Sequence, residues 1–157
     1  MGDGVHRVTV RTGRRAGVRI GVDVGTVRVG LAVSDPEGIL ATPLATLTRD
    51  QDGTRDLDEL AALVAEHGAI EVVVGNPLHL SGVPGAAAVA AREYADALRP
   101  LVAPVPVVLA DERLTTVTAE RQLAERGLRG RARRRVVDQT AAVVILQAHL
   151  DSLRASS

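Results

Sequence analysis

Two short apolar runs with one helical stripe between them decide most of what this chain can fold into. "AIEVVVGNP" (69–77) and "PVPVVLADER" (104–113) carry apolar side chains at both odd and even positions. That is the pattern of strands buried on both faces, as inside parallel sheets. Between them, Ala90, Tyr94, Ala97, Leu98 and Leu101 recur at helical spacing. A strand, a helix and a strand joined in this way imply parallel pairing through a right-handed crossover.

The segment before this unit reads differently. In "RIGVDVGTVRVGLAVSD" (19–35), Ile20, Val22 and Val24 alternate with Gly21 and Asp23, and Val27, Val29, Leu31 and Val33 alternate in the same way. Only Gly25 and Thr26 separate the two runs, which predicts a tight hairpin. "DPEG" (35–38) is a turn with Pro at its second position. A third strand is expected from Leu40 to Leu47, interrupted by Pro43. Leu57, Leu60, Ala61 and Val64 then form a helical stripe that Gly68 can stop. After the second buried strand, ending near Ala110, a helix capped by Thr115 or Thr116 is expected to run to about Arg126. A break bracketed by Gly127 and Gly130 follows, and a last helix spans roughly Arg134 to Leu153. The order β-β-β-α-β-α-β-α-α predicts an α/β domain. Its five-stranded mixed sheet joins a three-strand antiparallel meander to two parallel strands, flanked by helices on both faces. The Gly- and Arg-rich residues 1–16 read as a flexible N-terminal extension and 17–157 as a single domain.

Composition narrows the function. At 157 residues, 46% of them hydrophobic, the chain can bury a real core, and that core must be aliphatic, with one Tyr and no Phe or Trp. No apolar run is long enough to span a bilayer, and nothing resembles a secretion signal. The absence of cysteine removes disulfides and thiolate metal sites, which suits a cytoplasmic protein. The net charge is zero, so no global field draws the chain to nucleic acid. All 19 basic residues are Arg, the side chain whose planar fork binds two phosphate oxygens, but such a bias also follows from codon usage. Only the placement of the arginines is informative.

In open α/β sheets, sites gather beyond the carboxyl ends of the parallel strands. If the first, fourth and fifth strands run parallel, Asp23, Asn76, Asp111 and Glu112 emerge at one edge. Strand alternation lets only one of Asp111 and Glu112 face the site. Asp138 shares a helical stripe with Ala142, Ile145 and His149, and so is expected to point toward the sheet. Carboxylates gathered on one edge repel one another, and a divalent cation relieves them. Oxygen ligands without cysteine select Mg²⁺ or Mn²⁺, and two such ions about 4 Å apart can clamp both oxygens of a phosphoryl transfer. Gly21, Gly25 and Gly30 are expected to let a sugar-phosphate backbone approach. Each acid also has a plainer use: Asp23 in hairpin hydrogen bonds, Asp111 paired with Arg113, Asp138 against the helix dipole. The basic run "RGRARRR" (129–135), read as a loop before Asp138, suits phosphate contacts. Arg28, Asn76, Arg113, Arg129, Arg131, Arg133 and Arg134 are the candidate nucleic-acid contacts. With almost no aromatics to stack on bases, the shape of a duplex or junction is the expected target. His79, in "NPLHLSG", is read as a loop residue.

Four motifs, "RIGVDVGTVRVGLAVSDPEGILATPL", "VVVGNPLHLSG", "DERLTTVTAE" and "VVDQTAAVVILQAHLD", together resemble the YqgF (RuvX-like) family from about Val18 to Asp151. The resemblance implies an RNase H-like fold and a bacterial cytoplasmic nuclease that matures the 5′ end of pre-16S ribosomal RNA. Relatives are also described as Holliday junction resolvases. It implies that the acidic set is Asp23, Glu112 and Asp138, which would be both catalytic and metal-binding. Many relatives carry Asn and Asp where this chain has His79 and Ser81. The implied partners are structured nucleic acid, either pre-rRNA or junction DNA, and the ribosome or its precursors, with no membrane. Monomer and homodimer both stay open. "DVGT" before a hairpin also resembles the phosphate loop of actin-like ATPases, so a nucleotide-binding module and a non-catalytic nucleic-acid binder remain as alternatives.

Overall fold

The computed structural model describes residues 16–77, 84–112 and 130–156, with only the backbone described for 130–138. Its elements are β1 (Arg19–Val24), β2 (Arg28–Ser34), β3 (Ala41–Thr48), α1 (Arg55–Glu66), β4 (Glu71–Asn76), α2 (Ala86–Val102), β5 (Val107–Asp111) and α3 (Gly130–Ala155). The strands form one sheet in the order β3-β2-β1-β4-β5. β1 pairs antiparallel with β2, and β2 with β3; β4 runs parallel to both β1 and β5. The expected mixed sheet is therefore present, with its meander on one side and its crossover strands on the other. The expected extension, apart from Ala16, and the helix expected between Thr115 and Arg126 lie outside the described residues.

Local chemistry sets the boundaries. The Gly38 amide closes the DPEG turn onto the Asp35 carbonyl at 3.0 Å. Asp35 also accepts the amides of Ile39 and Leu40 through one oxygen, each at 2.7 Å. Gly68, at φ +60°, ends α1 in the left-handed conformation that glycine tolerates. β3 lies one residue later than expected, and Pro43 sits at an irregularity: Ala45 pairs with Leu31, but Pro43 pairs with Ala32. An edge strand with a bulge is where a sheet accepts proline.

Two aliphatic cores lie on opposite faces. Ile20, Val22, Val29, Leu31, Val72, Val74 and Val107 pack with Leu57, Leu60 and Val64 of α1 and with Tyr94, Ala95 and Leu98 of α2. Ala32, Ala41 and Val73 pack under Ala142, Ile145, Leu146 and Leu150 of α3. Each large aliphatic side chain so buried contributes roughly 2 kcal/mol. The buried stripe of α2 is Ala88, Ala91, Tyr94, Ala95, Leu98 and Val102, whereas Ala97 and Leu101 are exposed, so the helix is rotated from its expected setting. Alanines occur all around this helix, so periodicity alone left its orientation ambiguous. The last helix also begins earlier than expected. Gly130 belongs to α3, and residues 131–135 of the basic run are helical, not a loop. Arginine is a good helix former, so the run extends the helix without a propensity penalty. Among the described residues no helix is long and apolar enough to cross a membrane.

Candidate active site

Alternation along each strand decides which acids share a face. In β1, Ile20 and Val22 enter the core under α1 and α2, so Gly21 and Asp23 face α3. In β5 and the residue after it, Val107, Leu109 and Asp111 share the first face, and Val108, Ala110 and Glu112 share the second. Of the adjacent pair, Glu112 is therefore the acid on the face of Asp23. Both carboxylates are buried, Asp23 at 5% exposure and Glu112 at 7%.

A glycine fixes the position of Glu112. A methyl group on Gly75 would come within 2.6 Å of Glu112 Oε2 and 2.5 Å of Ile145 Cδ1. The carboxylate therefore lies across β4 in space that only glycine leaves open. The parallel β1–β4 pairing runs through Val22–Val74, and Asp23 and Gly75 are the next residues of the two strands. Glu112 thus reaches over β4 toward the strand position beside Asp23. The sequence offered no signal for Gly75 beyond its place near the end of a buried strand.

The third acid sits on α3. Gly21 brings this helix close: a methyl group there would lie 2.7 Å from Leu146 Cβ and 3.0 Å from the Ala142 carbonyl. The expectation that Gly21 admits substrate backbone is therefore wrong; helix α3 occupies that space. Nor is Gly25 an opening, since a methyl group there would meet the Arg28 carbonyl at 2.7 Å. Two glutamines tie α3 to the edge strand. Gln147 accepts the Ala41 amide at 2.9 Å and donates to the Ile39 carbonyl at 2.8 Å. Gln139 donates to Thr46 Oγ1 at 2.9 Å. The helix therefore runs antiparallel to β3 and β1, with its earlier residues at the carboxyl edge. Thr46 pairs with Gly30, and Gly30 pairs with Asp23, so Gln139 is anchored on the rung of Asp23. Asp138, the preceding helix residue, has its backbone at that edge.

The turn after Asp23 is held from outside. Arg49 Nη1 donates to the Gly25 carbonyl at 2.8 Å, and Gln51 Nε2 donates to the Thr26 carbonyl at 2.8 Å. Arg49 is itself held by Asp56, 3.7 Å from its Nε, and by the ring of Tyr94, 5.2 Å below its guanidinium. Tyr94 donates to Asp56 at 3.0 Å, and burial with the charge of Asp56 pushes its phenol well above the usual range. The single aromatic residue of the chain is thus a structural prop, and neither Arg49 nor Gln51 stood out in the sequence.

The other candidates divide. Arg28 opens β2 on the face of Gly30 and Ala32, at the same edge as Asp23. Asn76 shares the parity of Val72 and Val74 and so lies on the opposite face. It is buried, and its Oδ1 has no hydrogen-bond partner among the described residues. Arg131, Arg133 and Arg134 are helical positions of α3. Arg113, Arg129, His79 and Ser81 lie outside the described residues.

Asp23 on β1 and Glu112 just past β5 supply hard oxygens on one buried face, a combination that fits Mg²⁺ or Mn²⁺ and offers nothing to a soft metal. Among the described residues no three acids or histidines form a metal-sized group, and the side chain of Asp138 lies outside them.

The RuvX family profile, described as Holliday junction resolvase, matches residues 17–152. The chain belongs to the RuvX family. A relative from Frankia casuarinae, named as a candidate pre-16S rRNA nuclease, is 59% identical over 140 residues, covering 89% of this chain and 69% of its own. One from Mycobacterium sp. strain KMS, with the same name, is 51% identical over 159 residues and covers 99% and 94%. Thermus thermophilus RuvC, solved with a Holliday junction substrate, superposes with a TM-score of 0.55 at 16% identity, covering 87% of this chain and 96% of that one. At that identity what RuvX and RuvC share is the fold, which is RNase H-like.

Proposed function

We propose that this RuvX protein is a metal-dependent endonuclease that cleaves phosphodiester bonds in structured nucleic acid, acting in the cytoplasm at the 5′ end of pre-16S rRNA or its ribosomal precursor. The observation that carries the reading is the meeting of two buried carboxylates on one sheet face, with Glu112 laid across Gly75 beside the strand position of Asp23. Like charges buried on one face are costly, and a bound divalent cation would offset part of that cost. Asp23, Glu112 and Asp138 would hold Mg²⁺ or Mn²⁺. When bound, two such ions supply an acidified water and charge neutralisation at phosphorus. The chain's own residues do the rest. Arg28 contacts a phosphate flanking the scissile bond, and the arginines of the basic run, 129 to 134, hold the backbone further along. Arg49 and Gln51 keep the turn after Asp23 from shifting as substrate arrives.

RNA is favoured because relatives at 51–59% identity over most of the chain are named for pre-16S rRNA. The family description favours a second reading, resolution of four-way DNA junctions. Purified protein offered a pre-rRNA 5′ fragment and a four-way junction side by side, with Mn²⁺ or Mg²⁺, separates the two. Cleavage of the RNA alone, lost with EDTA and in Asp23→Asn, is the expected result. Full activity of Asp23→Asn, or activity in EDTA, overturns the nuclease reading.

A further inference from the structure

The geometry points to Gln139 as a positioning residue: through Thr46 it sets the height of the helix that carries Asp138 against the strand rung that carries Asp23. The inference rests on the nuclease reading above. Asp23 belongs to the sheet, whereas Asp138 belongs to a helix laid over it by apolar contacts. Such contacts are not directional, and they tolerate sliding of the helix along the strands. A metal site does not, because its ligands must stay within a fraction of an ångström of their places.

One directional contact that resists that sliding lies at the functional end. The Gln139 amide donates to Thr46 Oγ1 at 2.9 Å, and this bond joins the residue after Asp138 to the rung Thr46–Gly30–Asp23. Gln147 makes the equivalent tie two turns further along α3, at the start of β3, where it bonds Ile39 and Ala41. The two glutamines do similar structural work, but only Gln139 sits beside an acid of the site. Nature thus supplies the control: one tie whose loss should disturb ligand geometry, and one whose loss should disturb only stability.

The experiment compares Gln139→Ala, Thr46→Val, the double variant and Gln147→Ala. It reads thermal stability with and without Mn²⁺, and kcat, KM and half-saturating Mn²⁺ on the preferred substrate. Gln139→Ala and Thr46→Val are expected to lower kcat and raise half-saturating Mn²⁺ by about 10-fold each, the usual cost of losing a ligand's support. KM for nucleic acid should stay near wild type. The double variant should be no worse than either single, because both remove one bond. Gln139→Glu, whose carboxylate can accept from the Thr46 hydroxyl, should recover part of the loss. Gln147→Ala should melt earlier while keeping the wild-type Mn²⁺ response. The inference falls if Gln139→Ala responds to Mn²⁺ as wild type does, or if Gln147→Ala loses the response equally. Asp138→Asn separates this from the larger reading. Should it abolish cleavage while Gln139→Ala does nothing, only the positioning role fails; should it leave cleavage intact, the three-acid site itself fails.

Discussion

On the face under α3, the two ends of the sheet bury charge in different ways. At the amino end, Arg19 is buried in β1, and its Nε donates to Glu71 Oε1 at 2.8 Å. His149 of α3 reaches the same oxygen at 3.0 Å, and the Arg19 amide is taken by Ser34 Oγ at 2.9 Å. Positive and negative groups meet there within hydrogen-bond distance, so the charges stabilise the fold they are buried in. At the carboxyl end, Asp23 and Glu112 are two buried acids on the same α3-facing side of the sheet, while on the other side buried Asp56 is paired with Arg49. Among the described residues, the one buried side-chain polar atom without a partner, Asn76 Oδ1, is at that end too. Two acids buried on one face at that end fit the proposed cation site, whereas the oppositely charged groups at the amino end form a structural ion pair.

Removing charge at each end breaks the comparison most directly. Asp23→Asn should abolish cleavage and leave the thermal midpoint unchanged or higher. Mn²⁺, which at 100 times its Kd should stabilise wild type by about 2.7 kcal/mol, should do nothing for the variant. Calorimetric melting with and without Mn²⁺ checks this. A variant that melts much earlier than wild type would mean that Asp23 is a structural acid like those at the other end.

Gly75→Ala sharpens the contrast next. The added methyl group meets Glu112 Oε2 and Ile145 Cδ1, the far ends of two side chains that can swing away. Stability should fall by less than about 1 kcal/mol. Cleavage should fall by at least about 10-fold, because the displaced group is a proposed ligand. Gly21→Ala reverses the pattern. Its methyl group meets Leu146 Cβ and the Ala142 carbonyl, which cannot move without the helix. It should cost about 1–3 kcal/mol in urea melts. Equal losses of activity and stability in both variants would erase the distinction between cradle and packing contact.

How far each feature could be read from the sequence follows from its physical range. The strand order was legible because period-2 alternation and a β-α-β spacing are local patterns with few topological solutions. Asp23 stood out because a carboxylate inside an apolar strand demands a reason. Which of Asp111 and Glu112 shares the face of Asp23 depends on the strand phase, which the apolar run "VVL" leaves undefined and the packing of Val107 and Leu109 against α1 and α2 fixes. Gly75, Gln139 with Thr46, and Arg49 with Gly25 were invisible because each matters through a contact across 24 to 93 positions of chain. No window on the sequence spans such pairs. The rotated stripe of α2 failed for another reason: an alanine-rich helix has no unique apolar face until a sheet selects one.

Acid titration tests the amino end with the smallest expected effect. Burial alone would push the Glu71 carboxyl up; the hydrogen bond from His149, the charge of His149, and Arg19 outweigh it and hold the carboxyl below its ordinary range. A carboxyl whose folded value is depressed stabilises the fold fully above its unfolded value, about 4.3, and loses that contribution as pH falls through the folded value. Glu71→Gln should therefore melt earlier than wild type at pH 7, by no more than about 1 kcal/mol because the group is only partly shielded from water. The gap should close as pH falls through that folded value, where the wild-type carboxyl becomes protonated and resembles the amide. Equal melting of Glu71→Gln and wild type at pH 7 would mean that the Arg19–Glu71–His149 group adds nothing to the fold.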